Sequence, residues 1–415
     1  MKKRAYLKRT ICFYSIIWSL IFVQSAVKAF ENKNYFIGGF SIMKKAKLFG
    51  FGAVAMASVL LLGACGSSTT DSSSADGSNA ASSEAGGTTS LPTAALITDT
   101  GGVDDRSFNQ SAWEGLEAWG KANNVTRGNE GYQYFQSSNE SDYIPNIDQA
   151  LNAGFSTIFG IGYKLQPAVA DQASLNPEVN FAIIDDIVEG DNVASATFKD
   201  QEAAYLAGIA AAYSTTTNKV GFIGGVKGVV IDRFEAGFAA GIEAGAKELG
   251  KDITLDVQYA GDFSAPDKGR TIAKGMYGTG ADIVYHASGA TGNGVFQEAK
   301  SLNETGDKTV WVIGVDRDQS DEGNFKLDGE DKNFTLTSTT KAVGTVVQDL
   351  AQKAVEGNFP GGEHVVYGLK EDGVGLTDGQ LSAEALDAVA KAREQIVAGE
   401  IEVPEKPAKP EDSEK

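Results

Sequence analysis

The chain has 415 residues, 42% of them hydrophobic, which is enough for two domains of ordinary size with buried cores. Its 36 Lys/Arg and 55 Asp/Glu give a net charge of −19; ten bases and one acid lie in the first 64 residues, so the remaining 351 carry 26 bases against 54 acids, net −28. Such a surface repels nucleic acids and anionic headgroups, and with Cys12 and Cys65 the only cysteines, disulfides, cysteine-type zinc sites and thiol catalysis are excluded after Cys65.

Residues 1–42 carry a basic-then-apolar pattern, "MKKRAYLKRTICFYSIIWSLIFV", and a second begins at Met43, "MKKAKLFGFGAVAMASVLLLGAC". Either alone addresses a chain for export, so 1–42 reads as an overlong gene start and 43–64 as the signal peptide. The apolar stretch from Leu48 to Leu62 is short of the ~20 residues that a bilayer span needs. "LLGAC" resembles the bacterial lipobox, which implies cleavage before Cys65 and lipidation of its sulfur; a buried cysteine ending a retained helix is the plainer alternative. Residues 65–91 follow as a tether. Gly66–Ser90 has no branched aliphatic or aromatic side chain, cannot bury anything, and reaches roughly 25–30 Å as a flexible coil. Multiple acyl chains, at about 0.8 kcal/mol per buried CH₂, make such an anchor stable.

From Leu91 onward apolar strands alternate with amphipathic helices. "TAALITD" reads as a strand, "SFNQSAWEGLEAWGKA" as a helix with Phe108, Ala112, Leu116 and Trp119 along one stripe, and "GYQYFQS" as the next strand. "FSTIFGIG", "NFAIIDD", "KVGFIGG", "ITLDVQYA", "ADIVYHAS", "TVWVIGVD" and "NFTLTST" continue the strands; "DQEAAYLAGIAAAYS", "RFEAGFAAGIEAGAKELG" and "GNGVFQEAKSLNE" are helices between them. This alternation demands parallel sheets covered on both faces, and about ten strands predict two doubly wound lobes rather than one wide sheet.

Ligands in such folds bind beyond the carboxyl ends of the strands. Those ends carry Asp99, Gly160–Tyr163, Asp185 and Asp186, Gly224 and Gly225, Asp262 and Phe263, Ser288–Gly294, Asp316 and, soon after the last strand, Lys341. Polar groups converging over apolar strands describe a small-molecule cleft. "SGATGNG", Ser288–Gly294, lacks the Lys-Ser/Thr of a phosphate loop and is not the dinucleotide pattern. Asp185 and Asp186 could serve as acid and base, but nothing supplies a nucleophile, metal cluster or phosphate loop beside them. His286 and His364, the only histidines, read as structural.

The densest signal is "LITDTGGVDDRSFNQSAWEG", Leu96–Gly115: a strand ends at Asp99, Gly101 and Gly102 permit a close turn, and Asp105 or Ser107 caps a helix with Phe108 and Asn109 in its first turn. It resembles the signature of the basic membrane protein family of lipoproteins, the nucleoside-binding components of ABC importers. "FAIID", "FKDQEAAYLAG", "FEAGFAAG", "GDFSAPDKG", "GATGNGVFQEA", "VIGVDRDQ" and "TSTTKAV" extend the resemblance in family order over about residues 93–400.

The resemblance implies an α/β, type I periplasmic-binding-protein fold with a ligand cleft between the lobes. One lobe is expected to hold 92–197 and 319–356 and the other 198–318, with 357–403 unassigned and 404–415 a charged tail. Chain crossings between lobes would form a hinge. It implies a monomer without cofactor, anchored by lipid on the extracytoplasmic face of a bacterial membrane, delivering a nucleoside to ABC permease subunits. Carried onto this sequence, Phe108 and Phe263 would sandwich the base. Asp99 and Asn109, with Asp185 or Asp186, would engage its polar edge and the ribose. Gly292 would let backbone amides approach, and Asp316 and Lys341 would bind ribose hydroxyls. A lysine without an arginine cluster favours a neutral nucleoside over a nucleotide, and the similarity to the family's purine-nucleoside receptors implies a purine. A binding protein for another solute such as a sugar, a surface adhesin and a nucleoside-processing enzyme remain as alternatives.

Overall fold

Strands buried on both faces must be apolar at successive positions, and Ala94–Ile97 and Phe181–Ile184 are buried at every residue. The computed structural model describes residues 92–306 and 308–408. The export signal, Cys65, the tether and the last residues of the charged tail therefore lie outside the described residues. In chain order the strands are β1 (Ala94–Ile97), β2 (Tyr132–Phe135), β3 (Thr157–Ile161), β4 (Asn180–Ile184), β5 (Val193–Phe198), β6 (Lys219–Gly224) and β7 (Thr254–Tyr259). β8 (Ile283–Ala287), β9 (Trp311–Gly314), a hairpin of β10 (Asn324–Leu327) and β11 (Glu330–Asn333), β12 (Thr335–Lys341), β13 (His364–Tyr367) and β14 (Val374–Leu376) complete the set. They form two six-stranded sheets, β13-β5-β4-β3-β1-β2 and β14-β12-β9-β8-β6-β7. The pairings are parallel except for β14, which runs antiparallel to β12.

Alternate side chains serve opposite faces, as the pleat requires. On the first sheet Leu96, Phe159 and Ile184 face a core shared with α1 (Phe108–Ala122) and α8 (Val343–Val355), while Ile97, Ile158 and Ile183 face α2 (Tyr143–Asn152) and α3 (Gln166–Leu175). On the second, Phe222 and Tyr285 pack against α5 (Val229–Leu249), and Ile223 and Val284 against α6 (Pro266–Gly278) and α7 (Gly292–Thr305).

α4 (Asp200–Ser214) differs from these one-sided helices, being buried at every position from Asp200 to Ala212. Ala203, Tyr205, Leu206 and Ile209 enter the core of the first sheet, and Ala204, Ala207 and Ala211 that of the second. Small residues let it lie backbone to backbone on α5: a Cβ on Gly241 would stand 2.1 Å from the Tyr205 carbonyl oxygen, and one on Gly208 2.4 Å from that of Phe238.

The chain passes between sheets three times, through α4 after β5, through α8 after β12, and from β13 to β14. This corrects the expected partition in one respect. Residues 319–356 are expected in the first lobe, yet β12 pairs in parallel with β9 of the second sheet. The β10–β11 hairpin returns the chain to the edge it has just left, where β9 offers unpaired backbone groups. Only α8, through Val343, Val346, Val347 and Leu350, packs into the first core. The segment 357–403 divides: β13 joins the first sheet, β14 the second, and α9 (Ala383–Val397) sends Ala392 and Ile396 into the first core. Among the described residues no helix is long and apolar enough to cross a membrane.

Candidate ligand-binding site

The carboxyl ends of the strands of both sheets meet at a narrow cleft that encloses about 60 Å³, or about 540 Å³ when the open space at its mouth is counted. The β1–α1 loop supplies a wall dense in hydrogen bonds. The buried Asp105 carboxylate accepts the backbone N–H groups of Ser107 (2.8 Å), Asn109 (2.9 Å) and Gln110 (3.1 Å), so it caps α1 from outside the helix. Asn109 then works as a clamp. Its Nδ2 donates to Asp99 Oδ1 (2.6 Å) and Asp105 Oδ2 (2.9 Å), and its Oδ1 accepts from the Asp99 N–H (3.1 Å). Burial pushes the Asp99 carboxyl up to about 6, against the Gly101 N–H that holds it down.

Lys341, at the end of β12, brings the cation. Its side chain is only 3% exposed, and its Nζ lies 2.7 Å from Asp185 Oδ2 and 3.1 Å from Asp200 Oδ1. The ammonium also stands 5.1, 4.9 and 5.8 Å from the ring centres of Phe108, Phe198 and Phe234, where ring quadrupoles attract it. Burial opposes its charge, but Asp185, Asp200 and Asp316 outweigh burial and leave the pKa above the ordinary lysine value. Asp185 and Asp316 both have left-handed backbones, with φ of 73° and 68°, a conformation that acids tolerate better than most side chains. Burial pushes Asp316 up to about 6, with Lys341 opposing.

The second-lobe wall is mostly apolar. Val230, Ile231 and Phe234 come from the first turns of α5, with Ala287 and Val315 from strand ends. Phe263 lies flat against Gly225, where a Cβ would come within 2.2 Å of the ring, and edge-on to Tyr163 of the first lobe at 6.4 Å and 76°. Polar contacts join the two walls. Ser107 Oγ donates to Asp316 Oδ2, Gln319 Nε2 donates to the Arg106 carbonyl (2.8 Å), Arg106 pairs with Glu322, and Arg317 pairs with Glu114 at 3.2 Å.

Comparison with known proteins assigns this cleft to a family. The sequence profile described as Bmp, ABC transporter substrate-binding protein PnrA-like, matches residues 93–407. The chain belongs to the Bmp family. Relatives include an ABC transporter nucleoside-binding protein BmpA of Lactococcus lactis, 50% identical over 87% of this chain and 100% of its own length. A CD4+ T-cell-stimulating antigen of Listeria monocytogenes is 50% identical over 86% of this chain and 97% of its own. Basic membrane protein A of Borreliella burgdorferi is 34% identical over 76% and 88%. Among solved structures, an ABC transporter solute-binding protein from Aeropyrum pernix matches with a TM-score of 0.67 at 26% identity, covering 78% of this chain and 94% of that one. One from Conexibacter woesei, with a TM-score of 0.58 at 21% identity over 75% and 99%, shares the fold. As a Bmp-family protein the chain is the substrate-binding component of an ABC transporter, with the type I two-lobed fold.

Within this Bmp-family cleft Asp99, Phe108, Asn109, Asp185, Phe263, Asp316 and Lys341 all line one cavity. Two expected residues do not. Asp186 turns away, its Oδ1 accepting from the Ile187 N–H, so of the adjacent acids Asp185 is the one in the wall. Gly292 lies behind it, where a Cβ would come within 2.1 Å of the His286 ring; Ser288 and Gly289 of the same loop line the cavity instead. His286 is structural. Gln319 Oε1 accepts from the Val315 N–H (2.9 Å) and faces His286 Nε2 (3.0 Å), so Nε2 carries the proton, and burial pushes the ring's pKa down to about 4. Sequence reasoning missed Val230, Ile231 and Phe234 as wall residues and did not single out Asp200. Among the described residues no group of three or more His, Cys, Asp or Glu is arranged to hold a metal ion.

Proposed function

We propose that this protein captures nucleosides, purine nucleosides in particular, and delivers them to the membrane subunits of its ABC importer. The observation that carries the reading is that Phe108 and Phe263, from opposite lobes, line one cavity together with Asp99, Asn109, Asp185, Asp316 and Lys341. Two aromatic faces suit a flat heterocycle, and stacking contributes roughly 1–3 kcal/mol per base. Asp99, clamped by Asn109, is an acceptor for a ring N–H such as a 6-oxopurine offers. Asp316 would accept from ribose hydroxyls and Lys341 would donate to them. An acidic wall with one ammonium, already paired, disfavours phosphate and therefore nucleotides. The 50% identity to a protein named for nucleoside binding supports the same ligand class.

In this reading the lobes swing about the three crossings and close over the ligand, and the Ser107–Asp316 and Arg106–Glu322 contacts belong to the closed state. Cys65 would carry the lipid that holds a monomer to the extracytoplasmic face of the membrane, with residues 66–90 as the tether. A thermal-shift panel of nucleosides, nucleotides and sugars, followed by calorimetry, tests the ligand class. The expected outcome is stabilisation by guanosine or inosine and none by sugars; a sugar that stabilises while every nucleoside fails would refute it. Chromatography of nucleoside incubated with the protein should return it unchanged.

A further inference from the structure

The motif "FKDQEAAYLAG" touches the site only through Lys341: the Phe198 ring lies beside the ammonium, and Asp200, 1% exposed, ion-pairs with it at 3.1 Å. Asp200 does not line the cavity, whereas Asp185 and Lys341 do. Apart from the Lys341 ammonium at 3.1 Å from Oδ1, neither carboxylate oxygen has a partner within the protein, an arrangement that costs stability. The groups that face it are Lys341 from β12, Asp185 from beyond β4 and Arg233 from α5. Arg233 is itself engaged with the Phe198 carbonyl (3.4 Å) and Glu405 (3.2 Å), which leaves Lys341 as the cation Asp200 holds.

The position of the pair in the chain gives it a purpose. Asp200 is the first residue of α4, the helix that carries the chain out of the first sheet; Lys341 ends β12, two residues before α8 carries it back. Their ion pair therefore fastens two of the three crossings at one point, and the same ammonium faces the cavity. A lysine stem has many rotamers, and with Asp185 as sole counter-charge the ammonium could follow that carboxylate when a ligand engages it. A second carboxylate, outside the cavity lining, draws the ammonium away from Asp185 and limits how far it can follow that carboxylate.

We propose that Asp200 is a positioning residue for ligand capture: it holds the Lys341 ammonium from behind the cavity and so ties ligand contact to the crossings about which the lobes move. This rests on the nucleoside reading above. Burial pushes the Asp200 carboxyl up to about 7, with Lys341 opposing and Asp185 adding to the rise, so its grip on Lys341 should weaken as pH falls through neutrality.

The test is calorimetry with guanosine or inosine on the wild-type chain from pH 6.5 to 8.5, repeated on D200N. Affinity of the wild type should fall severalfold as pH drops through about 7, while D200N should bind at least tenfold more weakly at pH 8.5 and lose that step. Ligand-free thermal melting of D200N checks folding. If D200N does not fold, D200E, whose longer arm must displace the Lys341 ammonium, takes its place, and wild-type affinity in D200E overturns the proposal. So does a D200N protein with wild-type affinity and profile. A wild type that binds no nucleoside at any pH removes the parent reading as well, which separates the two failures.

Discussion

The two walls of the cavity are built from different chemistry. The first-lobe wall presents Asp99, Asp105, Asn109 and Asp185, each fixed by hydrogen bonds or an ion pair, around the rings of Phe108 and Tyr163. The second-lobe wall presents Val230, Ile231, Phe234, Phe263, Ala287 and Val315, with Ser288, Asp316 and Lys341 as its polar members. A polar wall selects, since an unmatched buried donor or acceptor costs about 1–3 kcal/mol. An apolar wall contributes affinity without much discrimination, at roughly 25 cal/mol per Å² covered. The first lobe should therefore decide which base binds, and the apolar part of the second how firmly.

The largest expected effect is on the covering wall. Phe263→Ala should weaken every nucleoside alike by roughly 1–3 kcal/mol, whereas Asp99→Asn should reorder them, favouring those that offer an acceptor where guanosine offers a donor. Calorimetry across a nucleoside panel checks both, and a Phe263→Ala protein with altered ranking would break the contrast. Next, Asp316→Ala should bind guanosine or inosine at least tenfold more weakly, about 1.4 kcal/mol, while a 2′,3′-dideoxy analogue should be nearly indifferent to the change.

A smaller effect concerns protons. Burial raises Asp99 and Asp316 to about 6, and hydrogen-bond donors brought by a ligand would favour their ionised forms. Nucleoside binding near pH 6 should then release protons, measurable by calorimetry in buffers of different ionisation enthalpy, and affinity should fall as pH drops below 6. For folding the sign is opposite: the folded state holds these protons between about pH 4 and 6 and the unfolded chain does not, so their contribution to stability declines as pH rises through that window. The smallest effect sharpens the assignment of the neighbouring acids. Asp186→Asn should change affinity less than twofold, and Asp185→Asn, which breaks the pair with Lys341, should change it far more.

The sheets are legible in the sequence because strands covered on both faces read as unbroken apolar runs, as in "FAII" and "GFIGG". β5, "VASATF", does not read as a strand because its small and hydroxyl-bearing residues dilute the run, although all six positions are buried. That omission matters at the site. Inspecting the residues at the carboxyl end of each strand finds Asp99, Asp185, Phe263, Asp316 and Lys341, and with β5 recognised the same inspection reaches Asp200, two positions past its last residue. Val230, Ile231 and Phe234 escape for another reason. Apolar residues opening a helix look like core, and only the placement of α5 against the cleft gives them a ligand-facing role. Which sheet takes β12 is not legible either, since a buried strand carries no mark of its neighbours.

α4 fills two hydrophobic interiors at once, its alternate faces plugging one sheet's packing and then the other's. Neither half of the molecule owns a complete interior, so cutting the gene at a crossing leaves a fragment with an open wound of alanine and leucine. Melting should accordingly take the form of a single cooperative event, and exchanging one half for that of a distant cousin would succeed only if this shared helix and its glycine-lined partner travelled together.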